Sequence, residues 1–469
     1  MKYKQVLAFL KRRSTKRLPA SLAFVLHSGF GVIIFLFAFF QESGAQRLTF
    51  SEHIGPIIFK NCTPCHSAEH GTPFSYLTYE DVKSKANVIR KVIETGYMPP
   101  WIADTSYTHF FNERVLGLKE KQQIISWIES GMPKGKGKSD YHSFSKKNGV
   151  DEEPDIILRM KNPFFIKGNN KESFPMIKIP YEFKTDSEYL DVRCIEFVPG
   201  NRKLLHHVNF EVLPALPTQD IFKEPYWANY TPDDSAQKTY NMLDSLDLDK
   251  EKAIYYGGWL PGLSKQVYGD DFGIRLPKRG IMLINVMHIS ASPIDDYDDS
   301  YFKIYLKKSK VQRIAHWDVL GSGGTISPIV PPLIIPADSV KTFDTRFQLA
   351  FDISVMFINP HMHLLGKSFL AFAVLPSKDT IPLIRIKNWN FNWQEFYQIN
   401  PMLTLPKGTW IIAQGEFDNT SNNPFNPFNP PRECTAYGKM RTVDEMLGFG
   451  LMFFKYKPGD ETKKVLVEE

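Results

Sequence analysis

Cysteine is scarce in this chain: four residues in 469. Two of them share one short motif, so Cys194 and Cys434 are the rest of the supply, read either as two thiols or as one bridge. Net charge is missing from the body. The formal charge is +6, yet residues 1–20 carry seven Lys/Arg and no acid, and Glu42 is the sole charge in 21–45. The first 45 residues therefore hold the whole excess, and the remainder is neutral. A neutral body offers no basic face, which excludes nucleic acid as its partner. Disordered or collagen-like bias is lacking too, with 43% hydrophobic and 23% charged residues. Only one run, Ser21 to Phe40, is apolar enough to span a bilayer. What is plentiful is aromatic residues, at 14%, and proline, with 33. Both suit a loop-rich all-β chain.

That apolar run follows Lys11, Arg12, Arg13, Lys16 and Arg17 and precedes Ser43-Gly44-Ala45. A basic stretch, an apolar stretch and small residues form a secretory leader, 1–45, with cleavage after Ala45. About 20 apolar residues also suffice for an uncleaved anchor. Residues 46–469 are exported on either reading, and contact with a membrane is expected only if the leader is retained.

The cysteine motif is CTPCH, with Cys62, Cys65 and His66. Two thiols at this spacing can add to the vinyl groups of a haem while the adjacent His ligates its iron, which is the pattern of covalent haem c attachment. Met98, on the stiff loop GYMPPW, is the expected second axial ligand. Met132 is its rival, and His53 and His70 are expected at the surface. An amphipathic stretch, Ser51 to Lys60, leads into the motif. Leu118, Ile124, Ile125, Trp127 and Ile128 follow a helical period that Gly131 closes. Residues 46–135 thus read as a small all-α class I cytochrome c domain. Residues 136–153, rich in Lys, Gly and Ser, read as a solvated linker.

Beyond the linker, short β-branched or alternating runs recur between Pro, Gly and Asp turns, as in KLLHHVNFEVLP, GIMLINVMHIS and LGFGLMFFKY. A β-sandwich takes ~100 residues. The length therefore predicts two tandem, jelly-roll-like β-sandwich domains, 154–330 and 331–469. Five of the 12 histidines fall in three of these runs: His206-His207, His288, and His361-Met362-His363. Residues i and i+2 on a strand share a face, so His361 and His363 can reach one metal ion. Adjacent His206 and His207 can do so only where the strand twists or ends. No HExxH or carboxylate–His cluster favours zinc. Imidazole with thioether favours copper, and the candidate sulfurs are Met446 and Met452.

In this order HHVNF, MHIS, HMHLLGK and DEM resemble the copper type II, ascorbate-dependent monooxygenases, typified by the peptidylglycine α-hydroxylating and dopamine β-monooxygenases. The resemblance covers residues 150–460. It implies two β-sandwiches, each holding one of two copper ions, facing across a solvent-filled cleft. His206, His207 and His288 would ligate the first copper and pass an electron. His361, His363 and Met446 would ligate the second, catalytic copper, where O₂ binds and an aliphatic C–H of the substrate is hydroxylated; Met452 is then a core residue. Where the peptide-hydroxylating member carries an Arg, an Asn and a Tyr for a substrate carboxylate, this chain has Asn359, Gly448 and Gly450. That argues against a peptidylglycine substrate, and the two glycines suggest room, or a flatter wall, for a bulkier small-molecule or peptide-like one. The whole resembles an exported, periplasmic cytochrome c–monooxygenase fusion. Neither motif specifies a route between the two; tethering alone suggests that an external electron donor reduces the haem and that the haem supplies copper. The alternative is a non-catalytic haem/copper electron-transfer or copper-binding protein.

Overall fold

The computed structural model describes residues 47–67, 74–144, 153–230, 254–261, 267–269, 271–322, 327–436 and 444–464, with Met242, Leu246 and Lys265. The leader and His70 lie outside the described residues. Among those described, no helix is long and apolar enough to cross a membrane. Residues 49–469 form one compact unit, most of it β-sheet.

Residues 50–144 supply the helices. A turn of π-helix, Phe50–Ile54, runs into the helix Gly55–Asn61, which ends at Cys62. The helix Tyr79–Ser84 starts on a capping box in which Thr78 and Asp81 each accept the other's backbone N–H. The next helix, Ala86–Glu94, buries Ala86, Ile89 and Ile93. The closing helix, Leu118–Glu129, buries Ile124 and Trp127 and ends at Gly131, whose φ of 85° suits a residue without Cβ. Leu118 departs from the expected stripe, being 81% exposed. It is the first residue of the helix, so the turn that would cover it is missing. The small core is aromatic: Phe50 packs on Phe59, Tyr79 and Trp127 at centroid distances of 5.8, 5.3 and 5.9 Å.

The expected linker begins inside this segment rather than beyond it. Tyr141 N–H donates to Leu77 at 2.7 Å, Thr78 bridges Asp140, and the Tyr141 ring packs on Phe59 at 5.8 Å. A polar composition did not reveal these backbone pairings. Residues 145–152 lie outside the described residues.

Two pairs of antiparallel-rich sheets follow. In the first pair, one sheet runs Ile156–Arg159, Tyr301–Leu306, Tyr189–Val198, Phe272–Pro277, Arg313–Ile314. The other runs Trp227–Tyr230, Phe174–Glu182, Arg279–Ile289, Leu205–Pro214, Ile254–Trp259. Alternation of side chains puts Val208, Phe210 and Val212 from one sheet against Ile274, Leu276, Phe302 and Ile304 from the other. In the second pair, the sheet His316–Gly321, Leu447–Lys455, Ile353–Met362, Tyr397–Leu405 packs on a five-stranded sheet that includes Gly366–Val374 and Trp410–Asn419. Leu447, Phe449, Leu451 and Phe453 point into that core. Their alternate neighbours face the first sandwich: Met452 joins the first sandwich's core cluster together with Phe357. The expectation for Met452 holds, since it is buried there and Tyr268 Oη approaches its sulfur at 3.5 Å.

The strand His316–Gly321 pairs with Leu447–Lys455, so the chain passes between sandwiches after Ile314 rather than at 330. Apolar alternation marks a strand but not the sheet that receives it. A buried ion pair, Arg313–Asp460, lies at this crossing, with Ser354 Oγ donating to the same carboxylate at 2.5 Å.

The helical segment docks on the second sandwich. Ala103 bridges Ile386, Phe111 N–H donates to Gln398 O at 2.8 Å, and Asn112 holds Phe396 O and Gln398 N at 2.9 and 3.0 Å. Trp101, Ile102, Ala103 and Phe110 belong to the second core. Asp104 receives Arg385 and Lys387, each at 2.8 Å.

Candidate metal centres

The strand Leu205–Pro214 pairs with Arg279–Ile289 so that His207 faces His288. Between Leu205 and His207 the register shifts: those two residues oppose Ile289 and His288, and His206 is the extra residue of a β-bulge. A bulge re-aims a side chain, and this one brings His206 to the side of His207. Regular alternation would have separated them. The three ring centroids lie 4.8–5.3 Å apart. One nitrogen from each ring lies within 4.8 Å of the others, and His206 Nδ1 is 3.0 Å from His207 Nδ1. Burial lowers the His206 pKa to about 4, helped by nearby His288. Burial also lowers that of His207, followed by its neighbours His288, His206, His361 and His363. His206 and His207 are therefore neutral at pH 7, the form that donates to a metal. His288 is 2% exposed and its ring is covered by Phe174, stacked at 4.6 Å.

The second set ends the strand Ile353–Met362. His361 and His363 share a side, with centroids 5.1 Å apart and rings at 89°. His361 pairs with Gly448 and Met362 with Leu447, where the ladder ends, one residue short of His363 and of Met446. Glu445 fixes that corner: its carboxylate accepts the backbone N–H of His363 at 3.0 Å, of Leu365 at 2.6 Å and of Met446 at 3.3 Å. Burial pushes its pKa up to about 8 against those donors. His363 Nδ1–H donates to Asp444 O and His361 Nδ1–H to Gln394 Oε1, both at 2.6 Å. Each bond fixes a tautomer whose lone pair is on Nε2, the arrangement seen around metal-bound histidines.

Phe391 separates the two sets. Its ring stacks on His206 at 6.2 Å and lies 6.4 Å from His288 and 5.6 Å from His363. A solvent-filled cleft was expected at this place; the structure has an aromatic side chain there. Phe391, Gln394 and Glu395 come from one segment that no sequence motif marked. Gln394 Nε2 donates to Phe391 O at 3.0 Å, and Asn359 Nδ2 donates to Glu395 O at 2.8 Å. Asn359 is thus a support for this segment.

The glycine positions are filled rather than open. A Cβ at Gly450 would stand 2.3 Å from Trp317 Cζ2, and one at Gly448 would meet Ser322 O at 3.2 Å. The expected room at 450 is taken by the indole of an adjacent strand.

In the helical segment, Cys62, Cys65 and His66 share one turn, with His66 N–H donating to Cys62 O at 2.9 Å. Neither these cysteines nor Cys194 and Cys434 form a disulfide, and the latter two are buried. Burial, with Cys65 and Glu120 nearby, pushes the Cys62 thiol up to about 12. His66 Nδ1–H donates to Phe74 O at 3.2 Å, which leaves the lone pair on Nε2. Met98 comes from the loop after Ala86–Glu94, where its N–H donates to Val92 O at 3.2 Å. Met132, the rival, is held at the end of the closing helix, its carbonyl accepting Tyr79 Oη–H at 2.8 Å. His53 Nδ1 accepts Thr49 N–H at 3.2 Å and is occupied locally. The neighbour of Met98, Tyr97, packs edge-on to Trp393 at 5.8 Å, and Arg114 pairs with Glu395. The helical segment therefore touches the residues on both sides of Gln394.

No known family's sequence profile matches this chain, and no curated protein matches it. Among solved structures it is similar to PNGF-II, with a TM-score of 0.25 and 8% identity, covering 63% of this chain and 65% of that one. It is also similar to the infectious bursal disease virus Gt strain, with a TM-score of 0.14 and 10% identity over 69% and 86% of the two chains. Likenesses of this size do not amount to a shared fold.

Proposed function

We propose that this chain is an exported copper-dependent monooxygenase that hydroxylates an aliphatic C–H of a small-molecule or peptide-like substrate, with its own c-type haem as electron source. The observation that carries this reading is the pair of histidine sets, each converging on its own side and separated by one phenylalanine ring. His206, His207 and His288 would hold one copper; His361, His363 and Met446 would hold the other. The reaction consumes O₂, two electrons and two protons and yields the alcohol and water, and bound copper would supply the redox chemistry. The protein's part is to keep His206, His207 and His361 neutral, to fix the tautomers of His361 and His363 through Gln394 and Asp444, and to exclude water with Phe391.

We assign residues 46–135 to the class I cytochrome c type. Cys62 and Cys65 would hold haem through thioethers, with His66 and Met98 axial. The exposed apolar side chains of Tyr97, Val115 and Leu118 suit a segment that covers a large apolar cofactor. Its docking beside Gln394 supports delivery of electrons to the histidine sets, and an external donor in the periplasm would re-reduce the haem.

Phe391 also favours a second reading, a haem/copper electron-transfer protein without turnover, because it fills the space a substrate would need. Copper titration and X-ray absorption of the Cu(I) form test the metal assignment. Two coppers per chain are expected, with sulfur scattering that His361→Ala abolishes while the three-histidine copper stays. A spectrum with nitrogen and oxygen alone sinks the Met446 assignment. O₂ uptake with labelled-oxygen product analysis then separates the enzyme from the carrier.

A further inference from the structure

The three-histidine set has a carboxylate beside it that no motif announced. Ser173 exchanges both backbone hydrogen bonds with Ile289, at 3.0 and 2.9 Å. Glu172 and Phe174 flank Ser173 and share the opposite face of the extended chain from it. Phe174 stacks on His288, and Glu172 Oε1 stands 3.3 Å from His288 Nε2. Neither ring nitrogen of His288 meets a hydrogen-bond partner of good geometry, although the residue is 2% exposed. A buried imidazole in that state is costly unless something else takes its nitrogens.

The two nitrogens of His288 have different surroundings. His206 and His207 present Nδ1 to each other at 3.0 Å, so their convergence is on the Nδ1 side. On His288 the Nε2 edge has the carboxylate, and Nδ1 is buried with no partner. Glu172 is 43% exposed, so a small side-chain rotation can bring Oε1 into line with an Nε2–H. Metal-bound histidines almost always donate their second N–H to an acceptor of this kind, which fixes the tautomer and raises the basicity of the ligating nitrogen.

We propose that Glu172 is the positioning residue of the three-histidine centre: it accepts His288 Nε2–H, holds the Nδ1 lone pair toward the metal, and places a negative charge behind one ligand. The inference rests on the copper reading above. It adds that this centre, unlike the His361/His363 centre with its amide and carbonyl acceptors, is biased by a carboxylate toward the cupric state.

The test uses the full chain carrying His361→Ala, so that only the three-histidine centre titrates. Glu172→Ala should weaken Cu(II) binding in chelator competition ten- to a hundredfold, the usual loss when such an acceptor is removed. Glu172→Gln keeps a carbonyl acceptor and should retain most of the affinity. It should also raise the reduction potential of the centre, because the charge is gone. A purely structural role would not separate affinity from potential in this way. Equal affinity and potential in all three proteins overturn the proposal. Loss of an oxygen ligand in the Cu(II) spectra of both variants also overturns it, by making Glu172 a direct ligand. Failure of the His361→Ala protein itself to bind copper is a different result, which removes the copper reading and this inference with it.

Discussion

Glu445 links the backbone to the chemistry at the second histidine pair. One carboxylate satisfies three amide groups, those of His363, Leu365 and Met446. Glu445→Ala leaves them without an acceptor inside the protein. Each buried donor left so costs about 1–3 kcal/mol, and the loss falls on both sides of the corner at once. The expected outcome is a fall in Tm together with disappearance of sulfur scattering from the Cu(I) protein. A variant with lowered Tm but intact sulfur scattering would show that Met446 is positioned by the strand ladder alone. Glu445 was partly legible, since it sits inside the DEM match. Gln394 and Phe391 were not, because a side chain that reaches the site from a distant loop follows no local periodicity. Glu172 was hidden for the same reason: its proximity to His288 comes from strand pairing, which residue types alone do not specify.

At the scale of elements, the HxH pair was readable and the HH pair was not. Period-two alternation places His361 and His363 on one side in any strand. His206 reaches the same side as His207 only through the bulge opposite Ile289 and His288, and one extra residue in a ladder leaves no mark in composition. The strands themselves were legible as alternating runs, and the closing helix as a helical period. The assignment of His316–Gly321 to a sheet was not, because either sandwich could bury Val319 and Leu320. That strand also explains the glycines. Trp317 lies against Gly450, and Gly450→Ala would drive a methyl group into the indole. Overpacking of this kind costs about 1–3 kcal/mol. Differential scanning calorimetry should show a lowered Tm, and Gly450→Ala combined with Trp317→Leu should recover part of the loss. Full stability in the single variant would mean that the indole moves at no cost, reopening the room that the sequence suggested.

For the whole molecule, the docked helical segment changes what the tether has to do. A flexible tether raises effective concentration, but here Asp104, Ala103, Phe111 and Asn112 already hold the segment against the second sandwich. Cleavage between residues 145 and 152 should therefore leave the two parts co-eluting in gel filtration, with little change in the rate at which copper oxidises ferrous haem. Separation on cleavage, with a concentration-dependent rate, would restore the tether to its expected role. Lys387, Ser106 and Arg385 hold the Asp104 carboxyl well below its usual pKa of 3.8. A depressed carboxylate contributes stability that is present above the unfolded pKa and lost as pH falls through the folded one. Acid should thus loosen the cleaved pair only below about pH 3.8, whereas Asp104→Asn should loosen it at neutral pH.

The strand Tyr397–Leu405 is the last of its sheet, and its start is covered by the backbone hydrogen bond from Phe111 to Gln398, by the Asn112 side chain, and by Trp101, Ile102, Ala103 and Phe110 packed on the core. An uncovered strand edge is a template for pairing with other chains. The docked helical segment therefore also bears on solubility. A chain cut back to residues 153–469 would leave an uncovered sheet margin and a hole where Trp101 and Phe110 belong.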